Sequence, residues 1–220
     1  MIYIIMCGSN NGDVFGEYPR QLSKINGEVI VERTIRLLQE SGVDKNDVFI
    51  SSQNPIFDNY GVKRIYDKSN SFVHYNEVLG LKEYGFWVDA FCNLSIPVTY
   101  IFGDVYFSPE AIKTIVNYDT KDITFFGTNA PYDKRYIKPY QEPLAFKVIN
   151  QKKFRDSINW VKNHFNEFNR HPISWELWEV INNQPINKLY FGGDFVAIRD
   201  YTCDVDAPKD IEKLENALKL

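Results

Sequence analysis

The sequence predicts one α/β domain over residues 1–220, a mixed, mostly parallel sheet flanked by helices. Three observations carry that reading. Short β-rich runs alternate with amphipathic stretches, the pattern of βαβ units. The run Ile2–Cys7 is continuously apolar and stops at Gly8, as a strand buried on both faces should. At 220 residues, 44% hydrophobic and 25% charged, the chain is long enough for one sizeable core and shows neither repeat nor linker.

The elements follow in order. After the first strand, Val31, Ile35 and Leu38 recur at helical spacing, and Ser41-Gly42 closes that helix with a residue able to take the left-handed cap conformation. Strands are expected at Asp47–Ser52 and Val62–Tyr66. Between Phe72 and Phe91 the spacing is helical, weakened by Gly80 and Gly85. Ile96–Phe102 reads as another buried strand. Ser108 and Pro109 are an N-cap and a first helical residue, opening a helix to about Tyr118. Strands follow at Ile123–Phe126 and Leu144–Ile149, separated by a long loop rich in proline and tyrosine. Helices are expected at Lys152–Phe168 and Trp175–Asn182, a strand near Phe195–Ile198, and a last helix from Pro208 to Leu218.

Charge and composition exclude several functions. With 25 Lys+Arg against 29 Asp+Glu the net charge is −4, which argues against a nucleic-acid scaffold held by phosphate neutralisation. The first apolar run is too short and wrongly flanked for a signal peptide or a span, so no membrane role is expected and the location expected is cytoplasmic. Cys7, Cys92 and Cys203 lack the paired spacing of a zinc site and fit buried free thiols. The 14 Tyr, 16 Phe and 4 Trp exceed what a core needs, so some rings are expected in a pocket or at a homodimer contact.

Five stretches carry chemistry. Gly8, Ser9, Asn10, Asn11 and Gly12 form a loop directly after a buried strand, where glycines let backbone N–H groups approach phosphate oxygens, although a plain turn has the same composition. In the passage from Pro19 to Ile35, the Arg20 guanidinium suits a bidentate clamp on a triphosphate and Lys24 is its companion; the plain alternative is a solvated surface pair. Gly103-Asp104 ends a central strand and points a carboxylate into the crevice where open α/β sheets bind ligands, with Gly103 admitting a ligand to the backbone; the alternative is a turn aspartate. Asp204-Val205-Asp206 precedes the last helix, and with Pro208 as first helical residue the cap is Ala207 and Asp210 is third, leaving Asp206 outside the helix. Spacing leaves open which of Asp204 and Asp206 faces the crevice. Finally, Lys134, Arg135 and Lys138 interleave with tyrosines, and Glu142 and Lys147 flank the next strand, a set suited to a phosphorylated acceptor. His74, His164 and His171 are scattered, with no nucleophile-elbow serine or cysteine near them in sequence.

In order and spacing, the glycine loop, the passage Pro19-Arg20-Gln21-Leu22 with Asn26-Gly27, the Gly103-Asp104-Val105 run and the Asp206-Ala207-Pro208 ending resemble the nucleotidyltransferases of GT-A type, which include cytidylyltransferases and sugar-phosphate nucleotidyltransferases. Glu142-Pro143-Leu144-Ala145-Phe146-Lys147 is similar to the acceptor-side strand of that family. The resemblance implies a Rossmann-like fold of the nucleotide-diphospho-sugar transferase type and transfer of a nucleotidyl group from an NTP to a small phosphorylated acceptor, with release of pyrophosphate. It implies Mg²⁺ held by Asp104 and Asp206, and CTP as donor in surface-polysaccharide or capsule precursor synthesis, with Ser52 and Gln53 reading the base. The sequence departs from the family twice. Arg20 stands where lysine is usual, and the loop carries Asn11, Gly12 and Asp13 where an arginine is usual. Two other readings stand beside this one: a glycosyltransferase using an NDP-sugar, with Asp204 and Asp206 as its metal pair, and a catalytically silent nucleotide-binding subunit.

Overall fold

A computed structural model describes residues 1–7, 19–65, 90–92, 94–128, 141–168, 174–186 and 195–219, and the backbone of 73–76 and 81–84. In chain order the elements are β1 (Ile2–Met6), β2 (Lys24–Ile25), β3 (Glu28–Val29), α1 (Ile30–Glu40), β4 (Val48–Ser51), β5 (Lys63–Ile65), β6 (Val73–Asn76) and β7 (Leu81–Tyr84). They continue with β8 (Val98–Phe102), β9 (Val105–Tyr106), α2 (Pro109–Asn117), β10 (Ile123–Thr128), β11 (Pro143–Val148), α3 (Gln151–Asn163), α4 (Ser174–Ile181), β12 (Val196–Ile198), β13 (Cys203–Asp204) and α5 (Pro208–Ala217).

The central sheet has seven strands in the order β12-β10-β11-β8-β1-β4-β5. β8, β1, β4 and β5 run parallel, as do β10 and β12, while β11 is antiparallel to both its neighbours. The single reversal matters for the site. Because β11 runs against the rest, its first residue lies at the sheet edge where β1 and β8 end.

The chain's burial follows its pattern. Ile4, Ile5, Val98, Tyr100 and Ile101 are fully buried, as strands covered on both faces require. Along β11 the side chains alternate. Phe146 meets Phe125, Phe154 and Trp178 from β10, α3 and α4, whereas its neighbour Lys147 reaches the end of α2 on the opposite face. Helices therefore cover both faces. A smaller core of Ile25, Ile30, Tyr106, Cys203, Val205 and Leu214 joins β2, β9, β13 and α5 at one end. No helix among the described residues is long and apolar enough to cross a membrane.

Local signals place the ends as the sequence predicts. Gly42 closes α1 at φ +89°. The Ser108 hydroxyl accepts from the Ala111 N–H and Pro109 is first in α2. Asn26 and Gly27 take positive φ of 49° and 85°, the type I′ arrangement that joins two strands through a two-residue loop. Two expectations are corrected. The stretch read as helical between Phe72 and Phe91 contains the antiparallel pair β6 and β7, in register from Val73 against Tyr84 to Asn76 against Leu81. Val73, Tyr75 and Tyr84 favour a pleated ladder, and the two glycines of that sequence disfavour the competing helix. The helix expected to reach Phe168 stops at Asn163, and a 3-10 turn over Phe165–Glu167 follows.

Candidate active site

At the edge where β1 and β8 end, the strand order reverses: β4 lies on one side of β1 and β8 on the other. Such a switch point opens a crevice between strand ends. Asp104 follows β8 and enters it. Its backbone is held by the N–H of Val205, which donates to the Asp104 carbonyl at 2.8 Å, and β13 pairs antiparallel with β9 just beyond. That short ladder brings Asp204 and Asp206 from the chain's end to the same edge.

Arg20 joins them. It opens the 3-10 turn Arg20–Leu22, and its guanidinium forks across two carboxylates: Nη2 to Asp104 Oδ2 at 2.7 Å and Nη1 to Asp206 Oδ1 at 2.8 Å. The Asp104 side chain is 18% exposed, those of Arg20 and Asp206 31% and 45%, so the contact is partly dried yet reachable from solvent. The Asp104 charge is the largest influence on Arg20 and raises its pKa, with Asp206 and Asp204 adding to it against burial. Arg20 Nε is buried and donates to no partner among the described residues.

A third carboxylate completes the group. Glu142 precedes β11, and its backbone is fixed twice by Thr128, whose N–H donates to the Glu142 carbonyl at 2.9 Å and whose hydroxyl accepts from the Glu142 N–H at 2.8 Å. Its carboxylate lies with those of Asp204 and Asp206, with one oxygen of each within 4.8 Å of the others. Glu142 thus stands among the carboxylates, and both aspartates of the final run face it. Behind them Asp210 is buried, and its Oδ2 accepts from the N–H groups of Asp206 and Ala207 at 3.2 and 2.9 Å. This half of a capping box fixes the direction of the Asp206 backbone. The sequence placed Asp210 correctly in the helix but gave no sign of that second duty.

Other expected residues fall elsewhere. Lys147 is 5% exposed and its ammonium donates to the carbonyls of Ile115, Val116 and Tyr118 at 3.2, 2.8 and 2.8 Å, so it caps α2 instead of meeting an acceptor. Burial lowers its pKa. Gly103 has a structural reason of its own beside the expected ligand approach. A Cβ there would lie 2.6 Å from Cys7 Sγ and from the Met6 carbonyl oxygen, to which the Gly103 N–H donates at 3.0 Å. The Ser52 hydroxyl is buried, donating to the Cys7 carbonyl and accepting from the Asn54 N–H, so it pins the end of β1; Gln53 beside it is exposed. Lys24 is exposed on β2, and no hydrogen bond or ion pair among the described residues ties it to the carboxylates.

Gly8, Ser9, Asn10, Asn11, Gly12, Lys134, Arg135 and Lys138 lie outside the described residues. Cys7, Cys92 and Cys203 are buried thiols outside any disulfide among the described residues, and burial followed by the Asp104 charge pushes the Cys7 thiol up. The His164 ring stacks on Trp160 with centroids 4.0 Å apart, a packing role. A cavity of about 470 Å³ between α3 and α4 is lined by Lys152, Lys153 and Trp160, but both lysines are ion-paired, with Asp156 and Asp122.

No protein-family model matches the sequence, and neither does any curated protein. Solved structures do. HddC from Yersinia pseudotuberculosis aligns over 99% of this chain and 98% of its own, at 17% identity and a TM-score of 0.50. The 4-diphosphocytidyl-2C-methyl-D-erythritol synthase from Anaerococcus prevotii aligns over 100% and 96%, at 12% identity and a TM-score of 0.57. This chain has their fold. The alignments run over nearly the whole of this chain.

Proposed function

We propose that the chain is a nucleotidyltransferase that moves a nucleotidyl group, CMP by preference, from an NTP to a small phosphorylated acceptor and releases pyrophosphate. One observation carries the reading: Arg20, Asp104 and Asp206, far apart in sequence, converge at the switch point of the sheet. Arg20 bridges two carboxylates there, and those of Asp204 and Glu142 lie beside Asp206. That donor set is hard, anionic and oxygen-only, which suits Mg²⁺ better than a softer metal. Asp104 and Asp206 would hold the ion, with Glu142 and Asp204 in reserve beside them. When bound, the ion neutralises charge building on the phosphoryl oxygens in the transition state.

The chain's own residues supply position and charge. An acceptor phosphate oxygen attacks the α-phosphorus in line, the bond to the bridging oxygen breaks, and pyrophosphate leaves. Arg20 would stabilise the departing pyrophosphate through a bidentate contact, and the glycine-containing sequence from Gly8 to Gly12 would suit backbone N–H donation to the same group. Lys24, exposed on the hairpin that follows Arg20, would meet the outer phosphate. Lys134, Arg135 and Lys138 would hold the acceptor's phosphate. Gln53, exposed beside the buried Ser52, is the better base-reading candidate of its pair. The choice of CTP, and of a surface-polysaccharide or capsule precursor as product, rests on the sequence resemblance. The cytidyl group in the name of one fold neighbour supports CTP.

A thermal-shift series with CTP, UTP, GTP and ATP, each with and without Mg²⁺, tests the reading, because a ligand of the native state raises the melting temperature with its concentration. CTP with Mg²⁺ should give the largest shift, and pyrophosphate should appear once a phosphorylated acceptor is added. If no nucleotide shifts the transition, the proposal fails. A second reading draws on the clustering of Asp204 and Asp206 with Glu142, which would also serve a glycosyltransferase that uses an NDP-sugar. Release of NDP from a sugar nucleotide, without pyrophosphate from an NTP, would favour it. A binding subunit without activity would show nucleotide shifts and no product.

A further inference from the structure

The site has a cation of its own. The Arg20 guanidinium spends two N–H groups on Asp104 Oδ2 and Asp206 Oδ1, the carboxylates on which a divalent ion would depend. Mg²⁺ needs its oxygens at about 2.0–2.1 Å in near-octahedral order and gives up water reluctantly. A guanidinium bound to the same two carboxylates leaves no room for that arrangement, and its positive charge opposes a second cation a few ångströms away. The pair of contacts is also well made for Arg20 to stay: the fork geometry matches both acceptors, and the crevice is partly shielded from water.

The same guanidinium is incompletely satisfied. Its Nε is buried and donates to no partner among the described residues, while the side chain as a whole remains 31% exposed. A polyphosphate offers what the carboxylates do not, namely several anionic oxygens that a guanidinium can grip through Nε and Nη together. We propose that Arg20 is the resident counter-ion of the crevice: it keeps free divalent metal out, and yields Asp104 and Asp206 to the metal only when a polyphosphate draws the guanidinium away. Metal and nucleotide then bind together. The inference rests on the nucleotidyl-transfer reading and adds an order of events to it, with Arg20 as the residue that sets the order.

Mn²⁺ alone, titrated into the full chain and followed by the electron paramagnetic resonance of the free ion, tests this directly. Without nucleotide, R20Q should bind Mn²⁺ at least about tenfold more tightly than wild type, within the usual span of coupling between sites. R20K, whose single ammonium cannot fork across both carboxylates, should fall between them. CTP should strengthen Mn²⁺ binding by wild type more than by R20Q. A residue with only a structural role would not raise metal affinity when removed. Equal Mn²⁺ affinity in wild type and R20Q overturns the inference; should R20Q not fold, equal affinity in wild type and R20K does so. Failure of the parent reading looks different: no nucleotide binds to wild type, while the Mn²⁺ difference between wild type and R20Q persists.

Discussion

The two ends of β11 make an instructive contrast. Glu142 stands just before the strand and Lys147 near its finish, and both are charged and buried. At one end the Glu142 carboxylate lies among Asp204 and Asp206, in a crevice that also holds Arg20 and Asp104. At the other, the Lys147 ammonium is surrounded by three carbonyls at the end of α2. Five residues of extended chain place them about 17 Å apart, on opposite edges of the sheet. The partners decide what each charge can do. Helix carbonyls are fixed by the fold and satisfy an ammonium permanently, with help from the helix dipole. Ionised side chains at a reachable crevice can exchange one counter-ion for another.

Substitutions at the crevice end should therefore strike chemistry before stability. On the nucleotidyl-transfer reading, Asp104→Asn and Asp206→Asn each remove a charge proposed to hold the metal, and each should lower pyrophosphate release by about a hundredfold or more, the scale of losing one transition-state electrostatic contact. Their melting temperatures should stay near that of wild type, because the ion pairs they break are partly solvated. Normal turnover in Asp104→Asn would end the nucleotidyl-transfer reading.

Gly103→Ala lies between the extremes. A Cβ 2.6 Å from Cys7 Sγ and the Met6 carbonyl oxygen forces β1 and β8 apart at their ends, with an expected cost of about 1–3 kcal/mol in urea unfolding. Since Asp104 is the next residue, transfer should fall as well. Loss of stability with full activity would mean that Asp104 is positioned by β9 and β13 rather than by the end of β8. At the far end, Lys147→Met should cost about 1–2 kcal/mol through stranded helix carbonyls, with transfer per folded molecule unchanged. A drop in activity at constant fold would return Lys147 to the acceptor side.

The contrast also shows what the sequence could reveal. Ile2–Met6 announced itself by unbroken apolarity, and Ser108 with Pro109, like Ala207 with Pro208, fixed helix starts by local chemistry. Those signals are short-range. The direction of β11 is not, because a strand that runs backwards has the same composition as one that runs forwards. Sequence alone therefore offers no reason to separate Glu142 from Lys147. Gly103 was recognisable as a close approach, but not as one made by Cys7 from across the sheet. The positions of Asp104 after a strand and of Asp206 before a helix are legible from local signals, whereas spacing leaves open which of Asp204 and Asp206 faces the crevice, and both lie beside Glu142. The bond that joins Asp104 to Asp206, through Arg20, spans most of the chain and needed coordinates.

The smallest effect separates the two ends by pH. Burial lowers the Lys147 pKa from its ordinary value of 10.5, with the charge of Asp119 opposing. The native chain then loses that proton at lower pH than the unfolded chain, so between the two values the unfolded state binds more protons and stability rises with pH. The contribution is complete above the ordinary lysine value and is lost as pH falls through the lowered one. Lys147→Met removes it, while every other titrating group is common to both proteins and cancels in the difference. Urea midpoints measured at neutral pH and near about pH 10 should show wild type gaining on Lys147→Met as the solution becomes alkaline. A gap that narrows instead would mean that the three carbonyls hold the ammonium more strongly than burial penalises it, making the end of α2 a cation site in its own right.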